Sequence, residues 1–428
     1  MSNPRVRRHH PALCYTLLLL AAFLLFMRNP LLLLRGRVYA EEGTTYLRFA
    51  WETRWAHALF ATHQGYYALV PNVATLLAAR AIPLHSAGIF LAWCALLFQL
   101  LTVWVVIRCD AFHDSWTRVL AVLVVMLAAP SGEVWLNTIN TQFYLAICTA
   151  LVTISKPRRF HVGILLVSGL TGVVSCFLVP FLWIRAFTCR TRGAVAQAAV
   201  LSVCTMLQLI AVFHLGLRHV QHNVAYIVEA CAGKNVLLAF GTSFPAELFG
   251  KLAMTHPSAG LIVAIILLAS LALLLSRIIP IGGCPAVLLV AMAVWGEVCA
   301  LFCGLDVGRI LVQPYVNGRY FFCCNVCIGL ALVLAWGSSV AGSRMQVITG
   351  CCLAALLISG LSDFKTAGWQ TALGPDWRSQ VNSWEHDSGT PIRIFPKRWR
   401  PLYLTADHPD LDLPDDIYDS TKAATAGP

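Results

Sequence analysis

Charge is what this sequence has least of. Lys, Arg, Asp and Glu make up 12% of its 428 residues, about half the share of an ordinary soluble domain. Acids are the scarcer sign, 20 against 31 basic residues, for a formal net charge of +11. The basic residues come in short groups between apolar runs. That is the distribution of cytoplasmic loops in a membrane protein, not of a nucleic-acid-binding face, so no nucleic-acid partner is expected. Motifs for nucleotides and common hydrolases are also missing: no Walker loop, no dinucleotide glycine fingerprint, no GxSxG and no HExxH. Each would mark a specific chemistry, and without them a nucleotide-fuelled mechanism has no support. An activated substrate would have to arrive from the membrane. No Cys follows Cys352, so the long tail has none to oxidise. Most of the sixteen Cys lie inside apolar runs, where they act as small apolar residues. Cys323-Cys324-x-x-Cys327 falls in a helix and lacks the loop setting of a zinc knuckle. No cofactor or metal is indicated.

What is present is hydrocarbon. The chain is 58% hydrophobic with mean hydropathy +0.71. Continuous Leu/Ala/Val-rich runs of about 18 to 20 residues recur, each long enough to cross a ~30 Å hydrocarbon core as a helix. A lipid-exposed backbone must satisfy its own hydrogen bonds, so helices are expected rather than strands. The fold class expected is an all-α polytopic membrane protein.

Arg5, Arg7 and Arg8 precede an apolar run over 13–27, but no small-x-small cleavage site follows. This reads as a retained first span with a cytoplasmic N-terminus. Further spans are expected over 86–107, 118–130, 141–155, 194–214, 259–276, 284–303, 319–338 and 345–361. The 161–187 stretch must leave and return as two short helices, because basic clusters at 156–159 and 185–192 both belong inside. The total is about eleven transmembrane helices at ~20 residues each, N-in and C-out. The domains expected are a membrane domain over 1–362 and a small extracytoplasmic C-terminal segment over 363–428. Within the first, 35–83 forms an outer loop with interfacial amphipathic helices broken at Gly65-Tyr66-Tyr67, and 215–258 forms a large outer loop.

Three polar constellations stand out on the outer side. The first is Glu41-Glu42, just past the first span. A partly desolvated carboxylate beside a like charge is a better base for a hydroxyl proton; equally, either acid could stabilise the N-terminus of a helix starting near Thr44 or Thr45. The second is Ser131 to Gln142. Its Asn137, Asn140 and Gln142 amides could orient sugar hydroxyls and Trp135 could stack on a sugar, or the loop could simply cap the next span. The third is Gly318-Arg319-Tyr320, where Arg suits a phosphate or phosphodiester and is equally an interfacial anchor. Glu297, inside a span, is a functional candidate by default or a salt-bridge partner of Arg309 or Arg319.

These residues resemble the GT-C superfamily of integral-membrane glycosyltransferases, which use polyprenyl-phosphate-linked sugars. Ala40-Glu41-Glu42-Gly43 looks like the Ala-Glu-Asp-Gly pattern of a bacterial subgroup. Asn137-x-x-Asn140-x-Gln142, Gly318-Arg319-Tyr320-Phe321-Phe322 and Pro396-x-x-Trp399 are similar to its other recurring features. Glu42 stands where that pattern has Asp. The resemblance implies an enzyme of the bacterial inner membrane that transfers a sugar from a polyprenyl-phosphate donor to an envelope glycan or glycolipid acceptor. Glu42, aided by Glu41, would then be the base. Arg319 and Tyr320 would hold the leaving phosphate, and Asn137, Asn140, Gln142 and Trp135 the sugar. Two alternatives remain: a transporter or flippase for a lipid-linked saccharide, and a non-catalytic partner in envelope assembly.

Overall fold

The computed structural model describes residues 11–215, 223–304, 308–366, 372–397 and 399–405. His219, His222, Asp306, Trp369 and the acidic stretch from Asp407 lie outside the described residues. The protein is 77% helical. Six helical stretches are long and apolar enough to cross a membrane: Leu84–Arg108, Arg192–His214, Val224–Gly241, Pro257–Cys303, Arg319–Ser338 and Arg344–Lys365. Shorter apolar helices fill the space between them, including Ala12–Arg28, Ser115–Leu127, Thr141–Ile154 and Arg159–Leu170. This is a multi-pass, nearly all-α membrane architecture.

Two helices form the axis. Thr141–Ile154 is buried on every face, and nearly all of Arg319–Ser338 from Phe321 to Ala335 is buried as well. A helix apolar all round belongs in the middle of a bundle. Its polar side chains turn inward on their own backbone: Thr149 and Thr153 hydroxyls donate to the carbonyls of Leu145 and Thr149.

The expected interruption of 161–187 is present. Arg159–Leu170 ends, a 3-10 turn spans Cys176–Leu178, and a second helix runs Val179–Cys189. Gly172 at φ +89° is required there, because a Cβ would lie 2.2 Å from Oε1 of Gln142. Both basic clusters meet at one end of the bundle: the buried Arg185 guanidinium donates to the carbonyls of Val152 and Ser155 and to Gln197 Oε1. Arg158 adds an ion pair to Asp110 from the loop expected on that same side.

The other end carries the irregular chain. Residues 42–60 form short helical pieces, Glu42–Leu47, Arg48–Glu52 and Trp55–Phe60. A tight hairpin then pairs Thr62–His63 with Tyr66–Tyr67. Its two central residues, Gln64 and Gly65, both have positive φ, the geometry a two-residue hairpin turn demands. The C-terminal segment lies on this first outer segment. Its helix Trp377–His386, capped by Asp376, buries Trp377, Val381 and Trp384 against Leu47, Ala50, Trp51 and Leu91.

One region departs from the sequence expectation. The 215–258 stretch, expected as an outer loop, contains Val224–Gly241, which by length and composition could itself cross a membrane. Glu229 and Lys234 masked it by depressing its hydropathy. The structure buries both, which only neighbouring helices make affordable.

Candidate functional site

Three sequence-distant loops converge where the two axial helices begin. Each contains one non-glycine residue in the left-handed region: Ala40 at φ +46°, Leu136 at φ +47° and Asn317 at φ +55°. Such a conformation is uncommon for Ala and worse for Leu, and it persists only where the surroundings over-determine it. Here they do. Ala40 N–H donates to Phe395 O (2.6 Å) and Phe395 N–H to Val38 O (3.1 Å), so the C-terminal segment is clamped onto the acidic loop. Trp399 Nε1–H donates to Thr44 Oγ1 at 3.2 Å. Trp399→Phe should therefore cost ~1 kcal/mol of stability, the worth of one hydrogen bond. In a thermal-unfolding double-mutant cycle, Thr44→Ala should add nothing to it.

The two acids have opposite environments. Glu42 opens a π-helical stretch, Glu42–Leu47, a form frequent at functional sites. It is 1% exposed and its carboxylate is saturated. Oε1 accepts from Thr138 N–H (2.7 Å) and Thr138 Oγ1 (2.5 Å), and Oε2 accepts from Tyr39 N–H (3.1 Å). Glu41 is half-exposed, makes no capping hydrogen bond, and faces the field of Arg319 and Tyr39. Glu42 thus pins the acidic loop to the Thr138 loop, and Glu41 is left with a carboxylate facing outward. Capping of a following helix accounts for neither.

Burial pushes the Glu42 carboxyl above its ordinary value of 4.5, and the donated bonds of Thr138 and Tyr39 offset only part of that. Burying the ionised form costs free energy. The stability contributed by Glu42 is therefore fully present below its unfolded pKa and is lost as pH rises through the raised folded value. Glu42→Gln should flatten the decline in unfolding temperature as pH rises above 4.5. Parallel pH profiles for the two proteins in detergent would refute this.

The Ser131–Gln142 loop is scaffold in this conformation. Trp135 is 1% exposed and lies under the Arg28 guanidinium at 5.0 Å, so its indole has no free face for a sugar. Asn137 Nδ2 donates to the carbonyls of Glu133 and Trp135, and Asn140 Nδ2 donates to Glu133 O at 2.8 Å. These amides brace the loop that presents Thr138 to Glu42. Gln142 Nε2 donates to Tyr66 Oη at 3.3 Å, fastening the hairpin over the same loop.

Glu133 joins this loop to the third. Its Oε1 accepts from Asn317 N–H (3.1 Å) and Oε2 from Arg319 N–H (3.3 Å). A carboxylate thus sits at the start of the Arg319–Ser338 helix, where backbone dipoles favour negative charge. Arg319 is half-buried, with its guanidinium over the Tyr320 ring at 5.2 Å and within the field of Glu133 and Glu41. Arg37 completes the floor. It is buried, stacks on Tyr39 and Phe395, and donates to the carbonyls of Ala372 and Trp135. Burial lowers it only to about 10, so it stays a cation at neutral pH.

Sequence reasoning missed Glu133, Thr138, Arg37 and Phe395. Only Glu133 carried a signal, as the one acid in its loop; Thr138 and Phe395 carried none. Glu297 pairs with neither Arg309 nor Arg319 among the described residues. It accepts from Asn235 Nδ2 at 2.7 and 2.9 Å and from Cys231 Sγ at 3.3 Å.

The arrangement is an outward carboxylate, an arginine within its field and the N-termini of two buried helices. It can take a proton from a hydroxyl beside a site that stabilises an anion. Comparisons with protein-family models, curated proteins and solved structures return no match, so the reading of the site rests on its residues and their geometry.

Proposed function

We propose that the chain is a GT-C-type glycosyltransferase of the bacterial inner membrane. It transfers a sugar from a polyprenyl-phosphate donor to an envelope glycan or lipid acceptor on the extracytoplasmic side. The proposal keeps about eleven crossings of the ~30 Å hydrocarbon core, with the N-terminus inside and the C-terminus outside. It places the irregular end of the bundle outside and the end with the Arg185 and Arg158 clusters inside, as the positive-inside rule asks.

Glu41 is the base. Its carboxylate accepts the proton of the acceptor hydroxyl as the oxygen attacks the anomeric carbon. Glu42 is a positioning residue that fixes the loop through Thr138. As the sugar–phosphate bond breaks, the electron pair passes to the phosphate oxygen. Arg319 and the first turn of its helix offset that charge. The observation carrying this reading is the division of labour within the doublet: one carboxylate saturated and buried, its neighbour half-exposed beside Arg319. The test is mass spectrometry of surface polysaccharide and lipid-linked sugars in a deletion strain. Complementation with Glu41→Gln should leave the deletion profile, with the lipid-linked donor accumulated. A wild-type profile from Glu41→Gln would sink the assignment.

One observation favours the transporter alternative. Lys234, Asn235 and Glu297 are buried polar groups inside helical stretches that can cross the membrane, and such groups often line a path. Under that reading Glu41→Gln would leave transfer intact, and Glu297→Gln would abolish movement of the lipid-linked sugar between leaflets.

A further inference from the structure

A narrow cleft runs along the axial helices away from the site. Its site end is Tyr320 and Phe143; Cys323, Cys324 and Cys327 continue it one and two turns down the Arg319–Ser338 helix. The facing wall is Gly283–Gly304, contributing Ala293, Gly296 and Ala300, and the outer edge is Val174 and Leu178 from the break at 171–178. Non-helical backbone at membrane depth is tolerated where it is buried or lines a cavity, and this break does so. The room inside is about 30 Å³, space for roughly two waters and too little for a hydrocarbon chain. The cleft is closed, and one bond closes it. Trp295 Nε1–H donates to Phe177 O at 2.8 Å, joining the Gly283–Gly304 helix to the 3-10 turn. Trp295 is 46% exposed, at the outer face of the bundle.

We infer that this seam is the portal through which a lipid with one linear hydrocarbon chain and an anionic head enters sideways, with the Trp295–Phe177 hydrogen bond as its latch. The occupant follows from charge complementarity along the cleft. Arg319 and the N-terminus of its helix stand at the site end, an anion site, and the walls below are apolar Ala, Gly, Leu and Met side chains. Gly296 matters by its size: a Cβ there would lie 3.7 Å from Leu178, so a large side chain fills the seam. The inference rests on the lipid-linked donor reading, and it names the two elements that must part for the donor to reach Arg319.

The test uses the full-length protein in nanodiscs and a farnesyl phosphate carrying a diazirine on its terminal isoprene. Photolabelling is mapped by peptide mass spectrometry. Label is expected on the segments 292–300 and 323–327. Gly296→Phe should cut it about tenfold. Trp295→Phe keeps the ring and loses the donor, and should speed labelling about fivefold, the worth of one hydrogen bond. Because Gly296→Phe fills space while Trp295→Phe removes a bond, misfolding of one leaves the other informative. Equal labelling of wild type and a correctly folded variant, or label confined elsewhere, overturns the portal. The two readings separate cleanly. Label at the cleft together with a normal glycan profile from Glu41→Gln removes the transferase and keeps the portal. Sugar transfer without label at the cleft removes the portal and keeps the transferase.

Discussion

Glu41→Gln should lower sugar transfer by roughly 10²- to 10⁴-fold, the usual contribution of a positioned general base, while the protein folds and inserts as wild type. The expectation follows from what the carboxylate does not do. Glu41 caps no helix, and it is half-exposed, so an isosteric amide removes proton-accepting capacity and little structure. Glu42→Gln should behave in the opposite way. That carboxylate accepts three hydrogen bonds from Thr138 and Tyr39. An amide can accept through only one of its two atoms, so a donor is left facing a donor. The loop loosens, and activity falls together with stability. Comparing initial transfer rates with unfolding temperatures separates the two roles. Loss of activity at Glu42 with full activity and stability at Glu41 would reverse the assignment.

Asp363→Ala should destabilise the protein by about 3–5 kcal/mol, the cost of removing one partner of a buried ion pair. Asp363, near the end of the Arg344–Thr366 helix, faces Arg28 at the end of Pro11–Arg28; their charged atoms are 3.7 Å apart and both side chains are 1% exposed. The same carboxylate accepts from Ser131 N–H (3.1 Å) and Ser131 Oγ (2.9 Å), and Arg28 Nη1 donates to Ser131 Oγ at 2.9 Å. Asp363 therefore ties the first and last membrane helices to the loop that supports Glu42. Removing it strands a guanidinium among Trp135 and Phe364. Replacing both partners, Asp363→Leu with Arg28→Met, should recover much of the loss, because buried ion pairs exchange for apolar pairs at small net cost. Thermal unfolding in detergent reads both. A double variant less stable than Asp363→Ala alone would show that the pair is not the source of the effect.

The helices were legible because their physics is local. A run of apolar residues with few charges requires helix inside a membrane whatever surrounds it, and the spans near 86–107, 194–214, 319–338 and 345–361 appear within a few residues of their expected limits. The interruption near 171–178 was legible from two basic clusters that had to lie on one side. Val224–Gly241 was not, because Glu229, Lys234 and Asn235 lower its hydropathy, and only Leu311 O and Glu297 from other helices make their burial tolerable.

The acidic doublet shows the same boundary. Composition and position marked Ala40-Glu41-Glu42-Gly43 as a site, and Asn137, Asn140 and Arg319 as its distant company. Which acid is free, and whether the company touches substrate or scaffold, depended on groups 96 and 186 positions away in the chain, Thr138 on Glu42 and Arg319 on Glu133. Hydropathy is a property each residue carries with it. The state of a carboxylate is a property of what donates to it, and those donors are assembled only when the three loops and the Phe395 strand close over the helix ends.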